Sequence, residues 1–229
     1  MLSHANEKIL FLGASRGLGA SVLDIVSRER TEETLLVSRK PEAYEGKTER
    51  QVSDFSKPDG QAKCLEILKA FEPTRVFYFA GGGPFGPFQE KQWKDHLWAI
   101  EVSLLFPAKL LLECLKMPPT LAPAQLIFVG SSVAESRPDP FAASYAMAKH
   151  GLLGLASSVQ AEALNLDLRL FSPHYMDTEL LPKNAWPRQK QGSEFQLWNA
   201  GDVAKLFSEW AFEKTQPWHL KLEEKTVRR

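Results

Sequence analysis

The 229 residues carry 28 basic and 28 acidic side chains, a formal net charge of zero, with 44% hydrophobic and 24% charged content. A chain this long buries a sizeable core in one α/β domain without disulfides, and its composition is that of an ordinary soluble globular protein. The balanced charge gives a nucleic-acid partner no electrostatic support, and no apolar run reaches the ~18 residues that a bilayer span needs. Residues 1–8 are polar and lead straight into a strand rather than a signal sequence, so a cytoplasmic protein is expected. Cys64 and Cys114 fall in apolar helical patterns and read as buried thiols; no metal site is expected. The basic segment 225–229 reads as a solvated tail.

Ile9-Leu10-Phe11-Leu12 is a continuous apolar run, as a parallel strand covered on both faces requires. Gly13-Ala14-Ser15-Arg16-Gly17-Leu18-Gly19 follows at once, and Ala20, Val22, Leu23 and Val26 then recur at helical spacing. Strand, glycine-rich turn and helix make a phosphate cradle: the glycines permit the tight turn, and helix N-terminal N–H groups face the anion. The plainer reading is a turn followed by a helix start. The next strand is expected at 34–37, followed by Ser38-Arg39-Lys40. An NAD site usually carries a carboxylate there for the ribose hydroxyl. Arg39 and Lys40 stand there instead, and with Arg16 they suit the extra phosphate of NADP; the alternative is a pair of solvated surface charges.

A short third strand is expected at 52–55, with Asp54 placed to meet an adenine edge, and a helix at 58–71. Val76-Phe77-Tyr78-Phe79 reads as the fourth strand and ends in Ala80-Gly81-Gly82-Gly83, where backbone can approach a ligand closely. The aromatic loop Pro84-Phe85-Gly86-Pro87-Phe88 either lines a substrate pocket or caps the core. A long helical pattern runs through 89–114 with Pro107 as a kink, and a fifth strand occupies 124–129. A sixth strand is expected at 168–171, a substrate lid at 174–199, a last helix at 201–212 and a last strand at 218–222. The fold class is thus α/β: a Rossmann-like, doubly wound, mostly parallel seven-stranded sheet with helices on both faces, in one domain spanning the chain.

The stretch from Ser131-Ser132 to Tyr145 and Lys149 carries the chemistry. On a helix over 142–164, Tyr145 and Lys149 stand one turn apart on the same face. An ammonium beside a phenol favours the ionised phenolate. Ser132 follows the fifth strand, at the carboxyl edge where open α/β sheets bind ligands. A Tyr-x-x-x-Lys pair also occurs by chance on solvated helix faces, so the neighbouring motifs decide.

Together, Gly13-x-x-x-Gly17-x-Gly19, Ala80-Gly81, Ser132, Tyr145-x-x-x-Lys149, Pro173 and Thr178 resemble the short-chain dehydrogenase/reductase family of compact single-domain type, over roughly residues 8–210. The resemblance implies that Ser132 and Tyr145 hold the substrate oxygen, Lys149 binds the nicotinamide ribose, and Thr178 approaches the carboxamide. It implies an NADP(H)-dependent oxidoreductase acting on a small carbonyl or alcohol substrate, as a homodimer or homotetramer. Gly13, Ser15, Arg16, Gly17, Leu18, Gly19, Arg39, Asp54, Ala80, Gly81, Tyr145, Lys149, Pro173 and Thr178 would hold the cofactor. Three departures stand out. Tyr78-Phe79 replaces the family's Asn pair, Glu101 takes the place of the helical Asn of its proton relay, and His174 replaces a glycine after Pro173. Glu101 is therefore a fourth catalytic candidate. A non-catalytic NADP(H) sensor is the alternative function, and an epimerase or dehydratase using the same Tyr and Lys a further one. Phe85, Phe88, Trp186 and Trp198 suggest an apolar or aromatic carbonyl.

Overall fold

The computed structural model describes residues 7–29, 33–136, 140–162, 165–192 and 196–223. Side chains alternate along the first strand, β1 (Lys8–Leu12): Leu10 and Leu12 face one side of the sheet, Ile9 and Phe11 the other, all fully buried. A strand apolar on both faces needs helices on both. One layer is supplied by α1 (Gly17–Glu29) with α8 (Ala200–Phe212), whose Phe207 and Trp210 pack on Phe77 and Phe171. The other is built from α2 (Pro58–Phe71), α4 (Phe106–Lys116) and α6 (Ala143–Gln160).

The remaining strands are β2 (Glu33–Ser38), β3 (Glu49–Val52), β4 (Arg75–Tyr78), β5 (Gln125–Val129), β6 (Asp167–Ser172) and β7 (His219–Lys221). They form one sheet in the order β3-β2-β1-β4-β5-β6-β7. Every pairing is parallel, so the sheet is wholly rather than mostly parallel. The strand order reverses between β1 and β4, and a crevice opens at the carboxyl ends there.

Three expected boundaries move. The third strand lies at Glu49–Val52, not 52–55. As an edge strand it pairs only with β2 and is largely exposed, so it carries no apolar run to betray it. The pattern read as a strand is the loop beyond it: Asp54 Oδ1 accepts from the Ser56 N–H and hydroxyl, and Phe55 packs on Tyr78 and Phe106. The helix expected over 142–164 runs from Ala143 to Gln160, and residue 164 lies outside the described residues, as do 193–195 of the lid and the 225–229 tail.

The long helix expected over 89–114 is broken into α3 (Trp93–Ile100), a π turn (Glu101–Leu105) and α4. The Phe106 N–H reaches the Glu101 carbonyl. In that pattern the next donor would serve the Val102 carbonyl, but residue 107 is proline and has no N–H. The Tyr78 hydroxyl donates to that carbonyl at 2.6 Å. One departure from the family pattern thus supplies the hydrogen bond that the π turn and its proline leave open.

Candidate functional site

The turn after β1 is shaped by two glycines. Gly13 has φ +77°, and a Cβ there would fall 2.5 Å from Ala80 Cβ. A Cβ on Gly19 would meet Ala14 Cα at 2.7 Å. The missing side chain at Gly13 therefore lets the turn press against Ala80 after β4, and that at Gly19 lets the start of α1 close on Ala14. Between these segments lies a cavity of about 490 Å³. Gly13, Ser15, Arg16, Gly17, Leu18 and Gly19 line it from the turn, and Arg39 and Asp54 from the ends of β2 and β3. Ala80 and Gly81 line it after β4, with Tyr145 and Lys149 on α6 and Pro173 and Thr178 after β6.

The cations facing this cavity are Arg16, Arg39, Lys40 and Lys149, against the carboxylates of Asp54 and Glu179. Arg39 lies over the ring of Trp98, 5.7 Å from its centroid. Arg16 pairs with Glu179 at 2.8 Å, both side chains being exposed. Beside Arg39, the Ser38 hydroxyl is buried in the cavity wall with no hydrogen-bond partner among the described residues. Sequence reasoning did not single out Ser38; its position immediately before two cations was the available signal. Trp98, whose buried indole N–H likewise lacks an acceptor, was missed because it reads as one more apolar helix position.

Lys149 is 3% exposed. Its Nζ donates to the Val129 carbonyl at 2.6 Å and lies 5.6 Å from the centroid of the Tyr145 ring. Burial pulls the ammonium pKa down from 10.5 to about 8, and the charge of Glu135 acts in the opposite sense. Near neutral pH the site thus holds a cation at the phenol. Ser132 begins the short helix α5 (Ser132–Ser136), is 2% exposed, and donates its hydroxyl to the Pro173 carbonyl at 3.3 Å. It sits behind the cavity wall rather than in it.

Glu101 is not brought to this group. Its Oε1 accepts from Gln61 Nε2 at 2.5 Å, and it does not line the cavity. Ser103, two residues on, takes the position expected of Glu101. Its hydroxyl accepts from the Gly82 N–H at 3.2 Å, and an added Cβ on Gly81 would touch both Lys149 Nζ (3.1 Å) and Ser103 Oγ (3.4 Å). Glu101 was singled out by aligning Ile100-Glu101-Val102-Ser103-Leu104 with the resembled family's helix, and that register selects a side chain two residues before the one that meets Gly82.

A second cavity of about 110 Å³ adjoins the first and shares Tyr145, Pro173, Met176, Thr178 and Leu180 with it. Phe85, Ser131, His174 and Tyr175 complete its reactive end, and among the described residues no Asp, Glu, Lys or Arg lines it. Of the aromatic residues expected at a substrate mouth, Phe85 lines this cavity; Phe88, Trp186 and Trp198 do not. The outer wall is built from residues between His174 and Pro182. Arg188, in α7 (Trp186–Gln189), donates to the carbonyls of Thr178 (2.7 Å) and Leu181 (3.0 Å).

No protein-family model matches the sequence, and no curated protein sequence matches it. Solved structures do. The chain is similar to an alcohol dehydrogenase from the archaeon Thermococcus sibiricus complexed with 5-hydroxy-NADP (TM-score 0.80, 19% identity, 98% of each chain covered). It is similar to a short chain dehydrogenase from Burkholderia cenocepacia in complex with NADP (TM-score 0.79, 16% identity, 95% of this chain and 96% of that one). It also matches BdcA in complex with NADPH (TM-score 0.76, 20% identity, 90% and 86%). At these identities the likeness establishes a shared fold.

Proposed function

We propose that the protein is an NADP(H)-dependent oxidoreductase that interconverts a carbonyl compound and its alcohol. The observation that carries this reading is one cavity joining a glycine turn, a cationic strand end and the Tyr145–Lys149 face of α6. The residues present fit the cofactor. Gly13 and Gly19 form a cradle that a Cβ would fill. The unpartnered Ser38 hydroxyl and the Arg39 guanidinium stand where an NAD site would carry a carboxylate, and both can donate to a phosphate. The cofactors bound by the three similar proteins support the same choice.

When bound, the nicotinamide supplies or accepts the hydride. The turn and the start of α1 would hold the pyrophosphate, Lys149 the ribose and Thr178 the carboxamide. The Tyr145 phenol would give or take the proton at the substrate oxygen, a contribution of ~10²–10⁴ in rate for a positioned acid. Lys149 stabilises the phenolate that results. Ser132 would exchange the Pro173 carbonyl for the substrate oxygen and add a hydrogen bond to the developing charge.

The second cavity would take the substrate, with the 174–199 segment as lid, all within one domain. The apolar and aromatic side chains that line it, Phe85, Tyr175, Met176 and Leu180 among them, favour a compact, uncharged carbonyl. A homodimer or homotetramer belongs to the same reading: Trp93, Leu97, Leu105 and Leu112 along α3 and α4, and Met147 on α6, are exposed apolar side chains that a second copy would cover. Among the described residues no helix is long and apolar enough to cross a membrane; a cytoplasmic location goes with this proposal.

The test is NADPH oxidation against neutral aldehydes, ketones and quinones, with carboxylated analogues beside them. Turnover is expected on neutral compounds and little on the charged ones. NADPH binding without turnover on any of them would make the protein a sensor, and no NADPH binding would overturn the cavity assignment.

A further inference from the structure

Behind the Ser131-Ser132 turn lies a carboxylate with no part in the reaction just described. The Glu135 side chain, on α5, is 1% exposed. A buried carboxylate is costly unless polar and charged partners meet it. Here they come from three other segments. Oε1 accepts from Ser172 Oγ at 2.5 Å and from the Ser131 N–H at 3.3 Å, and Oε2 lies 3.4 Å from His219 Nε2. Ser172 has a single hydroxyl proton and gives it to Glu135. Its 2.9 Å contact with His219 Nε2 must therefore run from imidazole to hydroxyl. His219 carries a proton on Nε2 in either charge state, and a line of donors from β7 through β6 ends on the carboxylate.

Gly130 shows how closely the chain is fitted around this group. A Cβ there would fall 2.5 Å from Ser172 Oγ and 2.8 Å from Glu135 Oε1. Any other residue between β5 and the serine turn would push into the hydrogen bond. Burial alone would raise the Glu135 carboxyl pKa. The contacts from His219 and Ser172, the His219 charge and the Ser131 N–H more than reverse this, holding it below the ordinary value. The group is an anion at neutral pH.

That anion touches the serine turn and stands beside Gly130, one residue from the carbonyl that anchors Lys149. Through the Ser131 N–H it holds the turn from which Ser132 reaches Pro173. On the other side of Gly130, the Val129 carbonyl accepts Lys149 Nζ, and Glu135 is the charge that opposes the effect of burial on that amine. Among the described residues, the titratable groups set against this cluster are His219 on β7 and Lys149 on α6; Ser172 on β6 and the Ser131 backbone supply hydrogen bonds only.

We propose that Glu135, held by Ser172 and His219, is a positioning residue: it fixes the Ser131-Ser132 turn and sets a permanent negative charge behind Gly130, next to the Val129 carbonyl on which Lys149 is anchored. The inference rests on the oxidoreductase reading for its meaning, yet its central link, Glu135 to Lys149, can be measured without turnover. The experiment is pH-dependent competitive acylation of Lys149, read by peptide mass spectrometry, alongside the pH profile of NADPH-dependent reduction, in wild type, Glu135→Gln and Glu135→Asp.

In Glu135→Gln the Lys149 titration should move down by about one pH unit, the alkaline limb of kcat following it, because the opposite charge behind the Val129 anchor has been removed. Glu135→Asp keeps the charge but is one methylene short of the Ser131 N–H. Its Lys149 titration should stay within about half a unit while kcat falls by about tenfold, the signature of lost positioning rather than lost charge. A Lys149 titration that stays at the wild-type pH in Glu135→Gln overturns the proposal, as does full kcat in Glu135→Asp. If Glu135→Gln does not fold, the Asp variant still decides. If wild type turns over no carbonyl, the reaction reading fails by itself, and the acylation profile continues to test the Glu135–Lys149 link.

Discussion

Tyr145 and Lys149 meet because a helix returns to the same face after four residues, and Lys149 is then pinned to the Val129 carbonyl at 2.6 Å. Removing the phenol oxygen alone isolates its role. Tyr145→Phe should still bind NADPH while kcat falls by at least ~10²-fold, measured by steady-state kinetics beside a binding titration. Near-full activity would show that another group moves the proton. This pair was legible in the sequence because its geometry depends only on helical period. The Glu101 assignment was not: it came from aligning 100–104 with the resembled family's pattern, whereas the structure pairs Glu101 with Gln61 and sets Ser103 against Gly82. Glu101→Gln should accordingly leave kcat within about twofold and the pH profile in place. A shift of the profile would restore Glu101 to the relay.

At the scale of elements, the site is held by contacts that sequence patterns register only indirectly. The glycine turn was legible because a strand, small residues and a helix follow one another in sequence. Its packing partner was not, because Ala80 lies far away in the chain. Gly13→Ala tests that contact. At φ +77°, with a Cβ 2.5 Å from Ala80, the substitution combines backbone strain with overpacking. It should cost roughly 2–4 kcal/mol in urea unfolding and weaken NADPH binding in the fraction that remains folded. A change within experimental error would mean that the turn does not press on Ala80 as described. The third strand escaped sequence reading for a related reason: an exposed edge strand buries too little to show a pattern, and its place is set by pairing with β2.

For the molecule as a whole, burying Lys149 couples the site to stability. The amine titrates near 10.5 in an unfolded chain and near 8 in the folded one. Between those values the unfolded chain binds the extra proton, so stability rises with pH through that window, and the cost is fully present below about 8. Lys149→Met should remove this slope, gaining roughly 3 kcal/mol relative to wild type at pH 7 and less toward pH 10 in urea melts, as an upper figure. Parallel stability curves for the two proteins would show that Lys149 is not buried as a cation. The doubly wound, parallel character of the sheet was also legible, because each apolar run is followed by a helix and such units wind one way; the segment after β6, which lacks periodicity, was legible only as a segment. What the whole fold converges on is the cavity at the β1–β4 crossover, with Ser38 and Arg39 at its β2 edge. The direct test is calorimetric titration of the unmodified protein with NADPH and with NADH at low salt, repeated on Arg39→Asp. NADPH should bind at least about tenfold tighter, a difference of about 1.4 kcal/mol, with the gap shrinking as salt rises and vanishing or reversing in Arg39→Asp. Equal dissociation constants for the two cofactors on the unmodified protein would contradict the account.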